Sequence, residues 1–107
     1  MKDSENTRLF GMLGFAMRAG KLVFGTDSVC KSMAKDARLI LICADASEGT
    51  KKKLLYKSEF YGVKTAIIST ESEKLGEVVG KTYAPVCVSV TDDNFAKEIL
   101  KAIEGHK

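Results

Sequence analysis

The strongest constraint on the fold is a continuous apolar run in the middle of the chain, Leu39-Ile40-Leu41-Ile42-Cys43-Ala44. A strand that has one face in water alternates apolar and polar side chains, whereas a strand that is covered on both faces is apolar throughout. The run therefore predicts a central strand that is buried between two layers.

Helical patterns and short apolar runs alternate along the rest of the chain. Further strands are predicted at Leu22–Phe24, Thr65–Ser69 and Val86–Val90. Helices are predicted at Asn6–Ala19, Thr26–Lys35, Ser47–Tyr61, Glu73–Val79 and Asp93–Ile103, with Thr26 as the N-cap of the second helix. This order indicates an α/β fold, a three-layer α-β-α sandwich with helices on both faces of a small mixed central sheet.

The length and composition point to an ordinary folded protein. A chain of 107 residues, with 45% apolar and 29% charged residues, predicts one domain over residues 1–107 that buries its own core. No apolar run is long enough to span a bilayer, and the polar N-terminus lacks the apolar region of a secretion signal. We therefore expect a cytoplasmic protein that does not enter a membrane.

The cysteines and the histidine do not suggest a metal site. Cys30, Cys43 and Cys87 are far apart and form no C-x-x-C pair, and the single histidine, His106, is one residue from the C-terminus. Zinc sites need closely grouped ligands, so we expect no metal and no cofactor. The cysteines are interpreted as small core residues of a protein in a reducing compartment.

The distribution of charge is more informative than the net charge of +3. Residues 1–57 hold 11 Lys/Arg and 6 Asp/Glu, a net charge of +5, and residues 58–107 hold 6 and 8, a net charge of −2. A basic first half is compatible with one positive face that binds a polyanion. It is equally compatible with an unevenly charged solvated surface.

The sequence gives little support for an enzyme. Nucleophilic catalysis needs a base beside the nucleophile, and His106 lies in a terminal tail. The segment from Gly76 to Thr82 resembles a phosphate-binding P-loop, but the required first glycine falls at Leu75, and the segment neither follows a strand nor opens a helix. We expect no nucleotide hydrolysis and no catalysis.

A different stretch, residues 19–31, brings together a glycine turn, a short strand, a second glycine and the start of a helix. The first backbone N–H groups of a helix have no partner within it and attract phosphate or base acceptors. The polar and basic residues of this candidate RNA-docking edge are Gly20, Lys21, Gly25, Thr26, Asp27, Ser28 and Lys31. The alternative is an ordinary capped helix start.

This stretch resembles the signature of the kink-turn-binding ribosomal protein superfamily, the family of ribosomal protein L7Ae, and its bacterial YlxQ-like branch. Gly20, Lys21, Gly25 and Lys31 match the family pattern in spacing. The likeness continues over about residues 9–103, through Asp45-Ala46-Ser47 with Thr50 and Lys52-Lys53, Leu75-Gly76, Gly80-Lys81, and Thr91-Asp92 followed by Phe95-Ala96.

The resemblance implies a three-layer α-β-α sandwich that binds structured RNA, either ribosomal RNA or another RNA with kink-turn-like G·A pairs, with the ribosome as a candidate partner. In the family, the loop at Gly25 and the following helix start enter the groove at tandem sheared G·A pairs. An Asn-Glu pair and a lysine contact the bases there. A second loop covers an extruded nucleotide; it maps onto Lys81, Thr82, Tyr83 and Ala84, where Tyr83 is a candidate for stacking.

The chain departs from the family pattern at two positions, because Asp27 replaces the expected Asn and Ser28 the expected Glu. An ionised Asp only accepts hydrogen bonds, whereas Asn both donates and accepts. Two hypotheses follow: an RNA-binding protein, or a protein-interaction module on the same fold that has lost kink-turn specificity. A surface ion pair between Asp27 and Lys31 is a further interpretation of these side chains.

The densest basic run is Lys51-Lys52-Lys53, followed by Lys57 on the same helix. It is a candidate for contacts with the phosphate backbone, or simply a solvated helix face. Three aromatic residues of this helix, Tyr56, Phe60 and Tyr61, are predicted to lie in the core and at its boundary.

Overall fold

A computed structural model describes residues 2–104, with side chains from Thr7 onward. His106, predicted to lie in a terminal tail, lies outside the described residues. The helices are α1 (Lys2–Arg18), α2 (Thr26–Met33), α3 (Glu48–Tyr61), α4 (Ser72–Val79) and α5 (Asp93–Glu104). The strands are β1 (Leu22–Phe24), β2 (Leu39–Ile42), β3 (Lys64–Ile67) and β4 (Cys87–Val90).

The four strands form one mixed sheet in the order β1-β4-β2-β3. β2 and β3 are parallel, with Ile42 opposite Ile67, and β4 is antiparallel to both β1 and β2. Because β1 and β2 are both antiparallel to β4, they are parallel to each other. α2 and α3 each connect two parallel strands, so these two helices run in the same direction.

The central strand divides two cores, as its unbroken apolar run predicts. Leu39 and Leu41 pack toward one face with residues of α1, α4 and α5. Ile40 and Ile42 pack toward the other face with Val29 and Met33 of α2 and Leu54 of α3. The structure therefore confirms the three-layer α-β-α sandwich.

A buried hydroxyl pair joins α2 to the sheet. Ser32 Oγ donates to the Val29 carbonyl oxygen at 2.6 Å and lies 2.9 Å from Ser89 Oγ on β4. Since buried hydroxyl groups are costly without a partner, this mutual bond fixes α2 at one position on β4. The start of α2 is thereby held at a defined place beside the sheet.

Several boundaries differ from the prediction. α1 begins at Lys2 rather than Asn6, α2 ends at Met33 rather than Lys35, and β3 covers Lys64–Ile67 rather than Thr65–Ser69. α2 ends early because the amide N–H groups of residues 35–37 all bond to the Ser32 carbonyl oxygen at 2.9–3.0 Å and turn the chain toward β2. No helix of the described residues is long and apolar enough to cross a membrane.

The cysteines are free thiols, and Cys43 and Cys87 are fully buried as predicted, whereas Cys30 is half-buried against the α2–α3 core. Burial, together with the nearby Asp45 charge, raises the pKa of the Cys43 thiol to about 12. A thiol with this pKa stays protonated at neutral pH and is a poor nucleophile. These two cysteines therefore act as core residues.

Candidate nucleic-acid interface

The turn at Gly25 starts α2 in a conformation that favours glycine. Gly25 has φ 92° and is the N-cap residue, and its carbonyl oxygen accepts the first helical hydrogen bond from the Val29 N–H at 2.8 Å. No side chain caps the helix start. The prediction that Thr26 is the N-cap is therefore wrong: Thr26 is the first helical residue, and its Oγ1 lies 4.0 Å from the buried Cys87 Sγ.

The outer face of α2 carries two of the predicted site residues side by side. Ser28 and Lys31, one turn apart and both exposed, line a shallow depression of about 240 Å³ between α2 and the edge strand β1. Val23, Ser32, Lys35 and Asp36 complete its lining. This depression runs along the second half of α2, so that Lys31 lies about one turn beyond the helix start.

Gly20 and Lys21 lie at the opposite end of β1 from Gly25. Gly20 has φ 73° and ends the turn after α1, while the Lys21 carbonyl oxygen accepts from the Thr91 N–H at 2.9 Å. Gly25 is four positions beyond Lys21 along an extended segment, a distance of about 13 Å. The structure does not bring Gly20 and Lys21 to the Gly25 turn.

Asp27 has a different partner from the one the sequence suggests. Its Oδ1 lies 4.0 Å from the Nζ of Lys53 on α3, and both side chains are largely in solvent. No ion pair of the described residues joins Asp27 to Lys31. The contact shows that the basic run of α3 borders the start of α2.

The second predicted loop lies next to the first. Lys81 Nζ is 5.1 Å from the centre of the Phe24 ring, and Phe24 directly precedes Gly25. Beyond Lys81, the side chains of Thr82, Tyr83 and Ala84 are exposed. The two sequence-predicted segments, 25–31 and 81–84, are therefore neighbours on the surface through Lys81 and Phe24.

Gly76 in α4 allows this second loop to pack closely. A Cβ at Gly76 would lie 2.5 Å from the Tyr83 carbonyl oxygen and 3.3 Å from Pro85 Cδ. The same helix ends at Gly80, a left-handed C-cap with φ 75°. As predicted, the P-loop-like segment opens no helix: it closes one, and the negative end of a helix dipole repels phosphate.

The prediction for the aromatic residues of α3 is wrong. Tyr56 and Phe60 are 73% and 74% exposed, and Tyr61 is also exposed. α3 turns only Leu54 and Ser58 fully inward, which leaves the rings on its solvent side. The sequence carried a signal for this arrangement, because the apolar residues of α3 do not fall on one helical stripe.

The described residues offer little else for chemistry. No group of three or more His, Cys, Asp or Glu residues among them could hold a metal ion. Asp45 is committed to a structural bond, in which it accepts from the Ser72 N–H at 2.9 Å and from the Ser72 Oγ at 2.8 Å. These hydrogen bonds lower the pKa of the Asp45 carboxyl and tie the end of β2 to the start of α4.

Comparisons with known proteins identify the fold and the family. Among solved structures, a Bacillus halodurans C protein of unknown function has a TM-score of 0.84 at 30% identity, covering 91% of this chain and 97% of that one. The Giardia lamblia 15.5kD RNA binding protein has a TM-score of 0.77 at 17% identity, over 95% of this chain and 87% of that one. At this level of sequence identity, the likeness shows a shared fold and no more.

The sequence comparisons cover almost the whole chain. RNA-binding protein YlxQ of Enterococcus faecium is 32% identical over 106 residues, 98% of this chain and 100% of the relative. RNA-binding protein YlxQ of Bacillus subtilis (strain 168) is 38% identical over 96 residues, 89% of this chain and 94% of the relative. Residues 7–101 match the family model described as ribosomal protein L7Ae/L30e/S12e/Gadd45. The chain therefore belongs to the ribosomal protein L7Ae/L30e/S12e/Gadd45 family, in its YlxQ-like branch.

Proposed function

We propose that this protein is a non-catalytic, single-domain RNA-binding protein that docks structured RNA on the Gly25 turn and the first turn of α2. The observation that carries the proposal is the start of α2, which no side chain caps, together with an exposed lysine, Lys31, on the following turn of the same helix. Unpaired backbone N–H groups and the positive end of the helix dipole attract RNA phosphates and base acceptors. Two relatives that cover nearly the whole chain are named as RNA-binding proteins.

The bound RNA in this proposal contains tandem sheared G·A pairs, in ribosomal RNA or in another structured RNA. The side chain of Lys31 makes the primary contact, together with the backbone of Gly25 and Thr26. Asp27 supplies the carboxylate that accepts from guanine N1–H and N2–H₂, a role that the longer Glu fills in the family pattern. The side chain is available for it, because Asp27 does not cap α2 and its contact with Lys53 is long and exposed.

The second loop completes the interface. Lys81 lies over Phe24, the residue before Gly25, and Tyr83, two residues further along the loop, is exposed. An exposed tyrosine ring offers a flat face on which an unstacked base can pack. We assign Lys81, Thr82 and Tyr83 to the contact with a nucleotide that is extruded from the helical RNA.

Gly20 and Lys21 are assigned to a secondary contact with the same RNA. They lie about 13 Å from Gly25 at the far end of β1. A lysine at this distance can contact the phosphate backbone of the same RNA but not the bases at the Gly25 turn. We expect Lys21 to contribute affinity without sequence preference.

A protein-interaction module on the same fold is the second candidate. It is favoured by Asp27 and Ser28, which replace the Asn and Glu of the family pattern. In that case the outer face of α2 would bind a protein rather than RNA, and the chain would show no preference for G·A pairs.

Binding of purified protein to two matched RNA hairpins tests the proposal. One hairpin carries tandem G·A pairs, and the other replaces them with Watson–Crick pairs. We expect tighter binding to the first, and loss of the preference in Asp27→Ala. Failure to bind either hairpin would reject RNA docking at this site in favour of the protein-interaction module.

The absence of catalysis and the cytoplasmic location remain predictions. Purified protein should hydrolyse no nucleotide above background. Turnover that is lost in Lys81→Ala would show that the P-loop-like segment has an activity that its geometry does not suggest.

A further inference from the structure

The solvent side of α3 carries an unexpected group of aromatic rings. Tyr56, Lys57, Phe60 and Tyr61 line a depression of about 220 Å³. The Phe60 and Tyr61 ring centres are 4.9 Å apart at an interplanar angle of 89°, so one ring meets the other edge-on. Pockets for drug-sized ligands start at about 300 Å³, so this depression suits a smaller flat group.

The aromatic group is continuous with the proposed RNA surface. Lys53, Lys57 and Phe60 follow one another at helical spacing along one side of α3. Lys53 at the start of this row contacts Asp27 of α2. Since α2 and α3 run in the same direction, Lys57 and Lys31 each lie one turn beyond that contact, level on neighbouring helices. Phe60 lies about 10 Å further along α3 than Lys53.

The charge around the rings favours a polyanion over a protein partner. Lys52, Lys53 and Lys57 lie beside the aromatic residues on the same helix and outnumber the neighbouring carboxylate of Glu59. The cores of protein–protein interfaces are enriched in aromatic residues but depleted in lysine. Aromatic rings on a lysine-rich surface are instead typical of proteins that bind single-stranded nucleic acid, in which bases stack on the rings and lysines follow the backbone.

We propose that Tyr56 and Phe60 form a stacking platform for single-stranded nucleotides that flank the structured RNA bound at α2. Lys53 and Lys57 would contact the phosphates between the two sites. The inference rests on the proposed function and extends it, because it assigns to α3 a second binding site with a different ligand: unpaired bases rather than G·A pairs.

The test compares two kinds of RNA by filter binding. The hairpin with tandem G·A pairs is used without a tail and with a single-stranded adenine tail of about six nucleotides, within the usual site size for such binding. The tail is placed on the 5′ end or on the 3′ end. In the wild-type protein we expect one of the tails to raise affinity about tenfold.

Substitutions of Tyr56 and Phe60 distinguish base stacking on the rings from nonspecific effects on RNA affinity. Tyr56→Ala with Phe60→Ala should lose the gain from the tail and keep the affinity for the hairpin without a tail. The ring swap Tyr56→Phe with Phe60→Tyr keeps both aromatic faces and should retain the gain. Phe15→Ala on α1, an exposed ring in the opposite helix layer, is the matched control and should also retain it. 2-Aminopurine in the tail should lose fluorescence on binding only where both rings are present.

Each other outcome has a distinct meaning. If the hairpin without a tail does not bind, the proposed function and the inference both fail. If the hairpin binds but neither tail changes its affinity, only the inference fails, and the aromatic group is left to a protein partner. If the double alanine variant retains the gain, Tyr56 and Phe60 are not the stacking platform.

Discussion

Lys53 Nζ lies 4.0 Å from Asp27 Oδ1, which joins the second turn of α3 to the first turn of α2. The pair is too exposed to add much stability, since the attraction between solvated charges is largely screened. Its significance is positional. It places the basic side of α3 next to the helix start at which we expect RNA to bind, and it leaves the carboxylate of Asp27 accessible.

The first prediction concerns this carboxylate. Asp27→Ala should weaken binding to RNA with tandem G·A pairs more than binding to RNA without them, because an acceptor for guanine is lost. Ser28→Ala, the neighbouring control, should change little. If Asp27→Ala instead strengthens binding to both RNAs slightly, Asp27 acts only as a negative charge near the phosphates, and its assignment as a base acceptor is wrong.

The second prediction concerns the packing of the second loop. Gly76→Ala places a Cβ 2.5 Å from the Tyr83 carbonyl oxygen, so the loop must move. We expect the free energy of unfolding to fall by about 1–3 kcal/mol, with weaker RNA binding as Tyr83 shifts. Thermal and urea denaturation measure the first effect.

Gly11→Ala is the matched control for Gly76→Ala. Gly11 also lies in a helix, but among the described residues no atom beyond its chain neighbours and the adjacent helix backbone comes within 4 Å of the position that an alanine Cβ would take there. Alanine should therefore stabilise the protein by about 0.5–1 kcal/mol through its better helix propensity. Equal effects of the two substitutions would mean that the close approach of Tyr83 does not constrain Gly76.

The third prediction is a pH dependence of stability. Hydrogen bonds from Ser72 hold the pKa of the Asp45 carboxyl below its ordinary value of 3.8. A carboxyl with a lowered folded-state pKa stabilises the protein above its unfolded pKa, and this contribution is lost as the pH falls through the folded value.

The measurement is the difference in Tm between the wild-type protein and Asp45→Asn. We expect the difference to be largest near neutral pH and to shrink as the pH falls below 3.8. Asp36→Asn, a change of an exposed carboxylate between α2 and β2, serves as the control. A Tm difference for Asp45→Asn that does not change with pH would show that the carboxylate charge does not matter to the bond with Ser72.

Most of the fold could be predicted from local patterns. The apolar run at Leu39–Ile42 defines a strand that is buried on both faces, and glycines such as Gly80 mark helix ends. The order of the strands could not be predicted, because the insertion of β4 between β1 and β2 depends on contacts between residues that are far apart in sequence.

The geometry of the candidate site was predicted in part. The spacing of Gly25 and Lys31 identified the start of α2, but the Thr26 side chain turns toward Cys87, a contact over 61 positions that no local rule contains. The exposure of Tyr56 and Phe60 was missed because large aromatic residues are usually buried. The pairing of Asp27 with Lys53 rather than Lys31 likewise depends on the packing of two helices.

The most direct test of RNA docking at α2 is a filter-binding salt series with the hairpin that contains tandem G·A pairs, for the wild-type protein and Lys31→Ala. The logarithm of the binding constant should fall linearly with the logarithm of salt concentration. Lys31→Ala should weaken binding by about 1–3 kcal/mol if the lysine reaches a base edge. Lys97→Ala, an exposed lysine on α5, should leave affinity unchanged. Equal affinity of wild-type protein and Lys31→Ala at every salt concentration would contradict the account.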